Sequence, residues 1–317
     1  MKKITRTEAA DWLKKQTSVC ILTHVRPDGD TLGSAAALCR GLRALGIDAW
    51  VLENPGTGEK QQYLLQGLTA DAPAENAVLV SVDVASAGML YPEAEPYLPR
   101  IALRIDHHGS AMSFTDMELV DPEAAACGEI VWDLLGLMGV TLSREMAVAL
   151  YVAVSTDTGC FRYANTTAHS YETAAACAAT GAELYPITEE LFVTNTLGKL
   201  KMQSWILDHA EFFAGGRGAV CAIPREVEDT VSKDDMESLS GLLRTIEGVE
   251  MSGMLRQKPD GTTKLSVRAV PGRNAGEVCA RFGGGGHKGA AGASLALDLE
   301  SARQQVKDAI TQALEDT

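Results

Sequence analysis

The sequence lacks any apolar stretch of the roughly 18 residues that a membrane-spanning helix needs. Two lysines follow Met1, but no apolar run stands behind them, so no signal peptide is predicted. The seven cysteines are dispersed and include no C-x-x-C pair, which argues against a thiolate zinc site and favours reduced thiols. We therefore expect a cytoplasmic protein.

Basic residues are also scarce. The chain has 28 Lys and Arg against 42 Asp and Glu, which gives a formal net charge of −14. This balance argues against a protein that coats long duplex DNA, since such binding depends on neutralising many phosphates. Residues 251–290 reverse the balance, with seven basic and two acidic residues around four consecutive glycines. A small phosphorylated ligand is therefore compatible with the composition.

The length of 317 residues predicts two domains, since a domain commonly holds about 100–200 residues. Apolar segments such as 18–23 (SVCILT) and 77–82 (AVLVSV) alternate with helix-like segments, which indicates a parallel sheet covered on both faces. We predict an α/β fold with a parallel-sheet domain over residues 1–186 and a smaller α/β domain over residues 213–317. Residues 187–212 are predicted to form a linker, with one continuous helix over 187–210.

Acidic and imidazole side chains stand where the predicted strands and one predicted helix end. They are His24, Asp28, Asp30, Asp83, His107 and Asp157. Because the carboxyl ends of parallel strands share one edge of a sheet, we expect these side chains to converge there. Taken singly, Asp28 and Asp30 are typical of a turn, and Asp83 could cap a helix. Their joint occurrence at successive strand ends favours a metal site.

The ligand types narrow the choice of metal. Six imidazole and carboxylate groups without a thiolate suit borderline-hard divalent ions, with Mn²⁺ first. Carboxylates packed this closely could not all stay ionised without cations. Two metal ions about 3.5–4 Å apart are a common arrangement for phosphoryl hydrolysis.

Residues 283–286, four successive glycines followed by His287, form a second signal. Such a run costs folding entropy, and it lets backbone N–H groups approach an anion closely. A flexible hinge is the alternative explanation for the glycines alone. Arg268 on the preceding strand and Lys288 beside the histidine favour a phosphate-binding segment.

Several segments resemble the motifs of the DHH phosphoesterase superfamily. They are HVRPDGDTLGS (24–34), the single Asp83 after a strand, DHH (106–108) and TDTG (156–159). GGGGHKGAAG (283–292) resembles the signature of the first type of DHH-associated C-terminal domain. In its length the chain resembles members of the nanoRNase subfamily. These enzymes degrade very short RNA and remove the 3′-phosphate from 3′-phosphoadenosine 5′-phosphate (pAp).

The resemblance implies a role for each matching residue. One Mn²⁺ would be held by His24, Asp28 and Asp83, and a second by Asp30, Asp83, His107 and Asp157, with Mg²⁺ or Co²⁺ as substitutes. His108 would donate a hydrogen bond or a proton beside the scissile phosphate, and Asp106 would orient a histidine. The distal part of the substrate would bind, in a cleft between the domains, to Arg268, Gly283, Gly284, Gly285, Gly286 and His287.

The implied activity is a Mn²⁺-dependent phosphodiesterase that releases 5′-mononucleotides from oligoribonucleotides of about two to five nucleotides, with pAp as a possible additional substrate. Cyclic di-AMP or linear dinucleotides are the alternative substrates, followed by inorganic pyrophosphate. A RecJ-like exonuclease is disfavoured by the acidic charge, and a non-catalytic nucleotide sensor by the presence of every expected ligand. Ala269 and Gly289 depart from the family pattern on the substrate side. Short RNA and small nucleotides are the expected partners, a homodimer is the alternative to a monomer, and no membrane or long duplex DNA is expected.

Overall fold

The computed structural model describes residues 2–109, 113–237 and 239–315. Within them the chain divides into two compact units, Met1–Thr194 and Asn195–Thr317. The boundary between the units falls within residues 187–212, the segment predicted from the sequence to be a linker. Each unit has its own buried apolar core.

The first unit is built on a parallel sheet, which in the described part of the chain has seven strands in the order β1-β7-β6-β5-β2-β3-β4. The strands are β1 Lys2–Lys3, β2 Ser18–Leu22, β3 Asp48–Leu52, β4 Thr69–Ala70, β5 Val78–Val82, β6 Ile101–Asp106 and β7 Met117–Val120. The central strands β2 and β5 are almost entirely buried, as continuous apolar segments of a doubly covered sheet should be. The predicted α/β parallel-sheet fold is confirmed.

Helices cover this sheet. They are α1 Arg6–Leu13, α2 Gly29–Ala44, α3 Cys127–Met138, α4 Arg144–Asp157, α5 Ala168–Ala179 and α6 Tyr185–Thr188. Shorter 3-10 turns span Glu59–Leu65, Ala87–Met89 and Glu95–Arg100. A β-carbon on Gly33 of α2 would lie 2.3 Å from the carbonyl oxygen of Ala149 in α4, so the glycine permits a close approach of these two helices. That approach matters because α2 begins and α4 ends with residues of the predicted metal site.

The second unit contains a mixed sheet in the order β12-β13-β11-β10-β9-β8. Its strands are β8 Glu211–Phe213, β9 Gly218–Ile223, β10 Met251–Gln257, β11 Thr263–Ala269, β12 Gly285–Gly286 and β13 Ala290–Leu295. Its helices are α7 Leu197–Asp208, α8 Arg225–Glu228, α9 Lys233–Glu237, α10 Ala275–Ala280 and α11 Leu299–Glu315, with 3-10 turns at Ala214–Gly216 and Leu239–Thr245. The smaller α/β domain is therefore confirmed.

The predicted continuous helix over residues 187–210 is wrong. After α6 a short π-helical turn covers Glu189–Val193, and Thr194 is extended with φ −76° and ψ 129°. The next helix starts afresh, because the Thr196 side chain accepts a hydrogen bond from the Lys199 N–H and caps α7. None of the helices in the described residues combines the length and apolar character that a membrane span requires.

Candidate metal centre

The six predicted ligands lie at the carboxyl edge of the first unit's sheet. His24 follows β2, Asp83 follows β5 and His107 follows β6, and these three strands are neighbours. Asp30 stands at the start of α2, and Asp157 is the last residue of α4. The expected convergence therefore follows from strand order and from the contact of the two helices.

His24, Asp28 and Asp83 form the first group. The Nε2 atom of His24 is 3.6 Å from Asp28 Oδ1 and 3.6 Å from Asp83 Oδ2. Ligand atoms of the three residues all lie within 4.8 Å of one another. One divalent ion could therefore contact an imidazole nitrogen and two carboxylates here.

His107, Asp30 and Asp157 form the second group. The Nε2 atom of His107 is 3.7 Å from Asp30 Oδ2 and 3.2 Å from Asp157 Oδ2. The same nitrogen is 3.5 Å from Asp83 Oδ1. Asp83 thus turns Oδ2 towards the first group and Oδ1 towards the second, which is the position that a bridging carboxylate would need.

The backbone at Asp83 is unusual. Its φ of 59° lies in the left-handed region, which non-glycine residues rarely adopt. Its N–H donates to the carbonyl oxygen of Ile105 on β6 at 2.9 Å, so the neighbouring strand holds this conformation. Strained backbone of this kind concentrates at functional sites. Here it accompanies the side chain that both groups share.

The residues fit a divalent cation. Asp83 Oδ1 and His107 Nε2 are buried and have no hydrogen-bond partner among the described residues. A cation would satisfy both atoms, which are costly to bury alone. The donors are nitrogen and oxygen without thiolate, and the negative end of the α4 dipole at Asp157 adds attraction for positive charge.

The carboxylates of the cluster oppose each other's ionisation. Burial raises the pKa of Asp83 to about 6. The charge of Asp28 also raises this pKa, whereas the nearby imidazole of His24 lowers it. Burial and the charge of Asp83 raise the pKa of Asp30 well above its ordinary value. A bound cation would remove this penalty, because it favours the ionised form of both groups.

The two histidines are shifted towards their charged forms, whereas the carboxyl groups are shifted towards their neutral forms. Burial by itself would lower the pKa of His24, but the close carboxylates of Asp28 and Asp83 raise it to about 9. Burial likewise opposes protonation of His107, but the nearby carboxylates of Asp157, Asp30 and Asp83 raise its pKa to about 10. Protons on these imidazoles therefore balance the carboxylates, and a metal ion would compete with them for Nε2.

Helix termini fix the first two aspartates. Asp28 caps α2, and its Oδ1 accepts hydrogen bonds from the N–H groups of Asp30 at 3.0 Å and Thr31 at 3.2 Å. Asp30 Oδ2 accepts from the Cys127 N–H at 2.6 Å, and Oδ1 accepts from the Gly128 N–H at 2.9 Å. Asp30 thereby links the start of α2 to the first residues of α3, which makes its position part of the fold.

His108 lies beside the bridging position. Its Nδ1 is 2.8 Å from Asp106 Oδ1 and 3.5 Å from Asp83 Oδ1. The hydrogen bond to Asp106 raises the pKa of His108, although burial opposes this. Asp106 Oδ1 also accepts the backbone N–H groups of His107 at 2.8 Å and His108 at 3.2 Å. Asp106 therefore orients both the backbone and one ring of this segment.

The sequence did not reveal Asn54, which supports His24. Its buried amide donates to Thr23 Oγ1 at 2.9 Å and to the His24 carbonyl oxygen at 2.8 Å. Its Oδ1 accepts the N–H of Gly56 at 2.9 Å. The loop after β3 thus holds the backbone that carries His24, and no local pattern marks this pairing across 30 residues.

Arg104 was missed as well. It is one of the largest fully buried side chains, and its Nη2 is 3.1 Å from Glu118 Oε2 on β7. Its Nη1 donates to the Ala85 carbonyl oxygen at 3.1 Å and lies 3.9 Å from Asp106 Oδ2. The guanidinium therefore connects the loop after Asp83 to the carboxylate that orients His108.

The predicted substrate residues of the second unit lie at one end of its sheet. Arg268 on β11 stands opposite Ala290 on β13, and its Nη2 donates to Ser240 Oγ at 2.9 Å. The His287 N–H donates to the Ala290 carbonyl oxygen at 2.8 Å and closes a tight turn. The side chains of His287 and Lys288 are exposed. Arg268 and this turn are therefore neighbours.

The expected reason for the glycine run needs correction. The N–H groups of Gly283 and Gly284 donate to carbonyl oxygens at the end of α10, and Gly285–Gly286 form β12. A β-carbon on Gly284 would lie 2.2 Å from a backbone oxygen of β13. The N–H groups of Gly283 and Gly284 are therefore already hydrogen-bonded within the fold and are not available to bind an anion. Substrate contact by this segment stays a prediction, which the exposed His287 would carry.

Comparisons with known proteins decide the family. Residues 18–154 match the DHH family, N-terminal domain, and residues 215–316 match the DHHA1 domain. A Thermus thermophilus protein named bifunctional oligoribonuclease and PAP phosphatase NrnA is 34% identical over 302 residues, which span 93% of this chain and 90% of that protein. The chain belongs to the DHH family of phosphoesterases. This DHH phosphoesterase is therefore a hydrolase, as the sequence motifs implied.

Other proteins similar to this DHH phosphoesterase agree with the fold. An exopolyphosphatase-related protein from Bacteroides fragilis has a TM-score of 0.83 at 23% identity, with 98% of this chain and 95% of that chain covered. RecJ from Thermus thermophilus, solved with Mn²⁺, has a TM-score of 0.54 at 17% identity, and the match covers 98% of this chain and 55% of RecJ. A cyclic-di-AMP phosphodiesterase, GdpP from Geobacillus thermodenitrificans, is 24% identical over 98% of this chain and 51% of its own length.

Proposed function

We propose that this DHH phosphoesterase is a Mn²⁺-dependent enzyme that hydrolyses very short oligoribonucleotides to 5′-mononucleotides and also removes the 3′-phosphate of pAp. The observation that carries the proposal is the position of Asp83, whose two oxygens face two separate groups of histidine and aspartate. The Thermus thermophilus relative and a Bacillus subtilis relative, 24% identical over 92% of this chain, are both named oligoribonuclease and PAP phosphatase. These names support the substrate class.

Two Mn²⁺ ions would be held by this site. The residues would be His24, Asp28 and Asp83 for one ion, and Asp30, Asp83, His107 and Asp157 for the other. Bound divalent ions of this kind polarise a phosphoryl group and lower the pKa of a coordinated water. The nitrogen and oxygen donor set supports Mn²⁺ over zinc, whose structural sites commonly include thiolates.

His108 would act on the leaving oxygen of the substrate. The hydrogen bond between its Nδ1 and Asp106 leaves Nε2 as the atom that can donate to a phosphate oxygen. The raised pKa of His108 favours the protonated ring that such donation requires. Asp106 holds the ring in place and stays ionised, because its hydrogen bond to His108 lowers its pKa despite burial.

Residues of the second unit would select the substrate. The half-buried Arg268 on β11 stands opposite Ala290, close to the turn that carries the exposed His287 and Lys288. Contacts to phosphate and ribose would favour a nucleotide chain of limited length. An acidic protein can bind such a substrate because only a few phosphates need to be neutralised.

Cyclic di-AMP or its linear product is the second candidate substrate. The similarity to GdpP over nearly the whole of this chain favours it. This chain spans about half of that relative, however, so the similarity leaves half of GdpP without a counterpart here. We therefore rank short RNA and pAp first.

A product assay with Mn²⁺ tests the proposal. The protein would be incubated with a two-nucleotide RNA, a five-nucleotide RNA, a 24-nucleotide RNA, pAp, cyclic di-AMP and pyrophosphate. We expect rapid release of mononucleotides from the two shortest RNAs, AMP from pAp, and slow cleavage of the 24-nucleotide RNA. Hydrolysis of pyrophosphate alone, or of cyclic di-AMP in preference to short RNA, would overturn the substrate assignment.

A pair of histidine variants tests the role of His108 in the same assay. His108→Gln should abolish most hydrolysis while Mn²⁺ binding persists, since His108 is not one of the predicted ligands. His209→Gln is the matched control, because His209 is exposed at the end of α7 and stacks on Trp205. Equal activity of both variants would remove His108 from the reaction.

A further inference from the structure

The chain makes an uncommon reversal directly after the metal-site residue Asp157. Gly159, Cys160 and Phe161 have φ values of 55°, 57° and 61°, so three successive residues adopt the left-handed conformation. For Cys160 and Phe161 this conformation is unfavourable, and it persists only where the surroundings impose it. The fold therefore maintains a specific shape for the segment that follows the metal site.

Local hydrogen bonds impose this reversal. The Cys160 N–H donates to the Ser155 carbonyl oxygen at 2.6 Å. The Phe161 N–H donates to Thr158 Oγ1 at 3.1 Å, and the Tyr163 N–H donates to the Thr158 carbonyl oxygen at 3.0 Å. As a result the chain turns back, and Tyr163 lies over Gly159, two residues beyond the metal-site carboxylate.

The reversal sends its aromatic side chains to different places. The ring of Phe161 packs inwards between Tyr151, at 6.1 Å, and Tyr171, at 5.4 Å. Tyr163 instead is 59% exposed. Among the described residues no hydrogen bond of its hydroxyl group is found. The Tyr163 ring is therefore a surface group, unlike that of Phe161.

Gly159 makes room for the Tyr163 ring. A β-carbon at position 159 would lie 2.3 Å from the ζ-carbon of Tyr163, which places the phenol ring directly against the glycine backbone. One side of the ring is therefore supported by the protein, while more than half of the side chain stays open to solvent. A flat, supported and open aromatic ring is the form of surface on which nucleobases stack.

We propose that Tyr163 is a stacking platform for one nucleobase of the substrate. The inference rests on the proposed function, since it requires a nucleotide substrate at the metal site. Stacking accepts any base, because every base has an aromatic face, so the platform would add affinity without selecting a sequence.

Substitutions at position 163 test the platform through the KM for a three-nucleotide RNA. Tyr163→Ala should raise KM about tenfold, which equals about 1.4 kcal/mol and lies within the range for one base–aromatic stack. Tyr163→Phe should keep the wild-type KM, because the ring and not the hydroxyl group makes the contact. Tyr163→Leu should behave as Tyr163→Ala. Tyr185→Ala is the matched control, since Tyr185 is 67% exposed at the start of α6.

Abasic substrates separate stacking from a merely structural effect. Three-nucleotide RNAs that lack one base in turn would be compared between the wild-type enzyme and Tyr163→Ala. At one position, removal of the base should raise KM for the wild-type enzyme and have little effect on Tyr163→Ala, because the contact is already absent. Equal losses in both enzymes at every position would overturn the platform.

The same measurements distinguish this inference from the proposed function. A wild-type enzyme that cleaves no short RNA contradicts the proposed function, and the platform falls with it. A wild-type enzyme that cleaves short RNA with a KM unchanged by Tyr163→Ala contradicts the platform alone.

Discussion

Arg104 is expected to stabilise the catalytic edge through a buried ion pair. Its side chain is 2% exposed and that of Glu118 is 3% exposed, and their charged atoms are 3.1 Å apart. Arg104→Met would leave the Glu118 carboxylate without its cation inside the protein. Removing one partner of a buried pair costs about 3–5 kcal/mol of the free energy of unfolding, because the remaining charge is uncompensated. For a unit of this size that corresponds to a fall in Tm of roughly 6–20 °C.

A double-mutant cycle measures the interaction. Urea denaturation followed by circular dichroism would compare wild type, Arg104→Met, Glu118→Leu and the combined variant. The combined variant should lose at least about 2 kcal/mol less than the sum of the single losses, because neither charge then remains buried alone. Lys14→Met is the control, since Lys14 and Asp11 form an exposed ion pair that should contribute less than about 1 kcal/mol.

The cycle can refute this account of Arg104. Additive single losses would mean that Arg104 and Glu118 do not stabilise each other. A loss below about 1 kcal/mol for Arg104→Met would mean that the pair behaves as an exposed one. Activity of the combined variant adds a second readout. Its kcat should stay low even where stability returns, because the link from Arg104 to the Ala85 carbonyl oxygen and to Asp106 is gone.

Four further predictions concern the metal and the substrate. Burial alone would lower the pKa of His24, but Asp28 and Asp83 raise it to about 9. Mn²⁺ must therefore displace a proton to bind. Its affinity should rise by up to about tenfold per pH unit for each displaced proton as the pH increases from 6 to 9. Binding that calorimetry shows to be independent of pH would contradict this. Without metal the same raised pKa stabilises the fold below about pH 6.5, and this stability is lost as pH rises through 9, so the Tm of chelator-treated protein should fall over that range. Asn54→Ala should weaken Mn²⁺ binding about 10–100-fold in the same calorimetry, and unchanged affinity would show that the loop after β3 does not hold His24. Arg268→Ala should raise KM for short RNA while Mn²⁺ affinity stays constant, and a loss of Mn²⁺ affinity would contradict its assignment to the substrate.

The general fold could be predicted because its signals are local. Continuous apolar strands such as β2 and β5 indicate a parallel sheet, and polar residues after their last positions then meet at one edge. The group of His24, Asp83 and His107 follows from strand order alone. The segment around Thr194 shows the limit of such signals, since an apolar helical pattern continued through the residues that end α6 and cap α7.

The supporting residues could not be predicted, because their partners are distant in the sequence. Arg104 stands within a strand that reads as apolar, and only the pairing of β6 with β7 brings Glu118 beside it. Asn54 reaches His24 because β3 is the neighbour of β2 in the sheet. The glycine run was assigned to anion binding from composition, whereas two of its N–H groups are taken up at the end of α10. These outcomes depend on tertiary pairing, which no local pattern records.

The most direct test of the central claim is a Mn²⁺ titration of two-nucleotide RNA hydrolysis by wild type and Asp83→Asn, after removal of bound metal with a chelator. Asp11→Asn, which changes an exposed aspartate of α1 that is not a predicted ligand, serves as the control. We predict that the wild type and the control regain activity on addition of Mn²⁺ and that Asp83→Asn does not at any concentration. Full recovery of activity by Asp83→Asn would contradict the claim that hydrolysis depends on the Asp83 carboxylate shared by the two ligand groups.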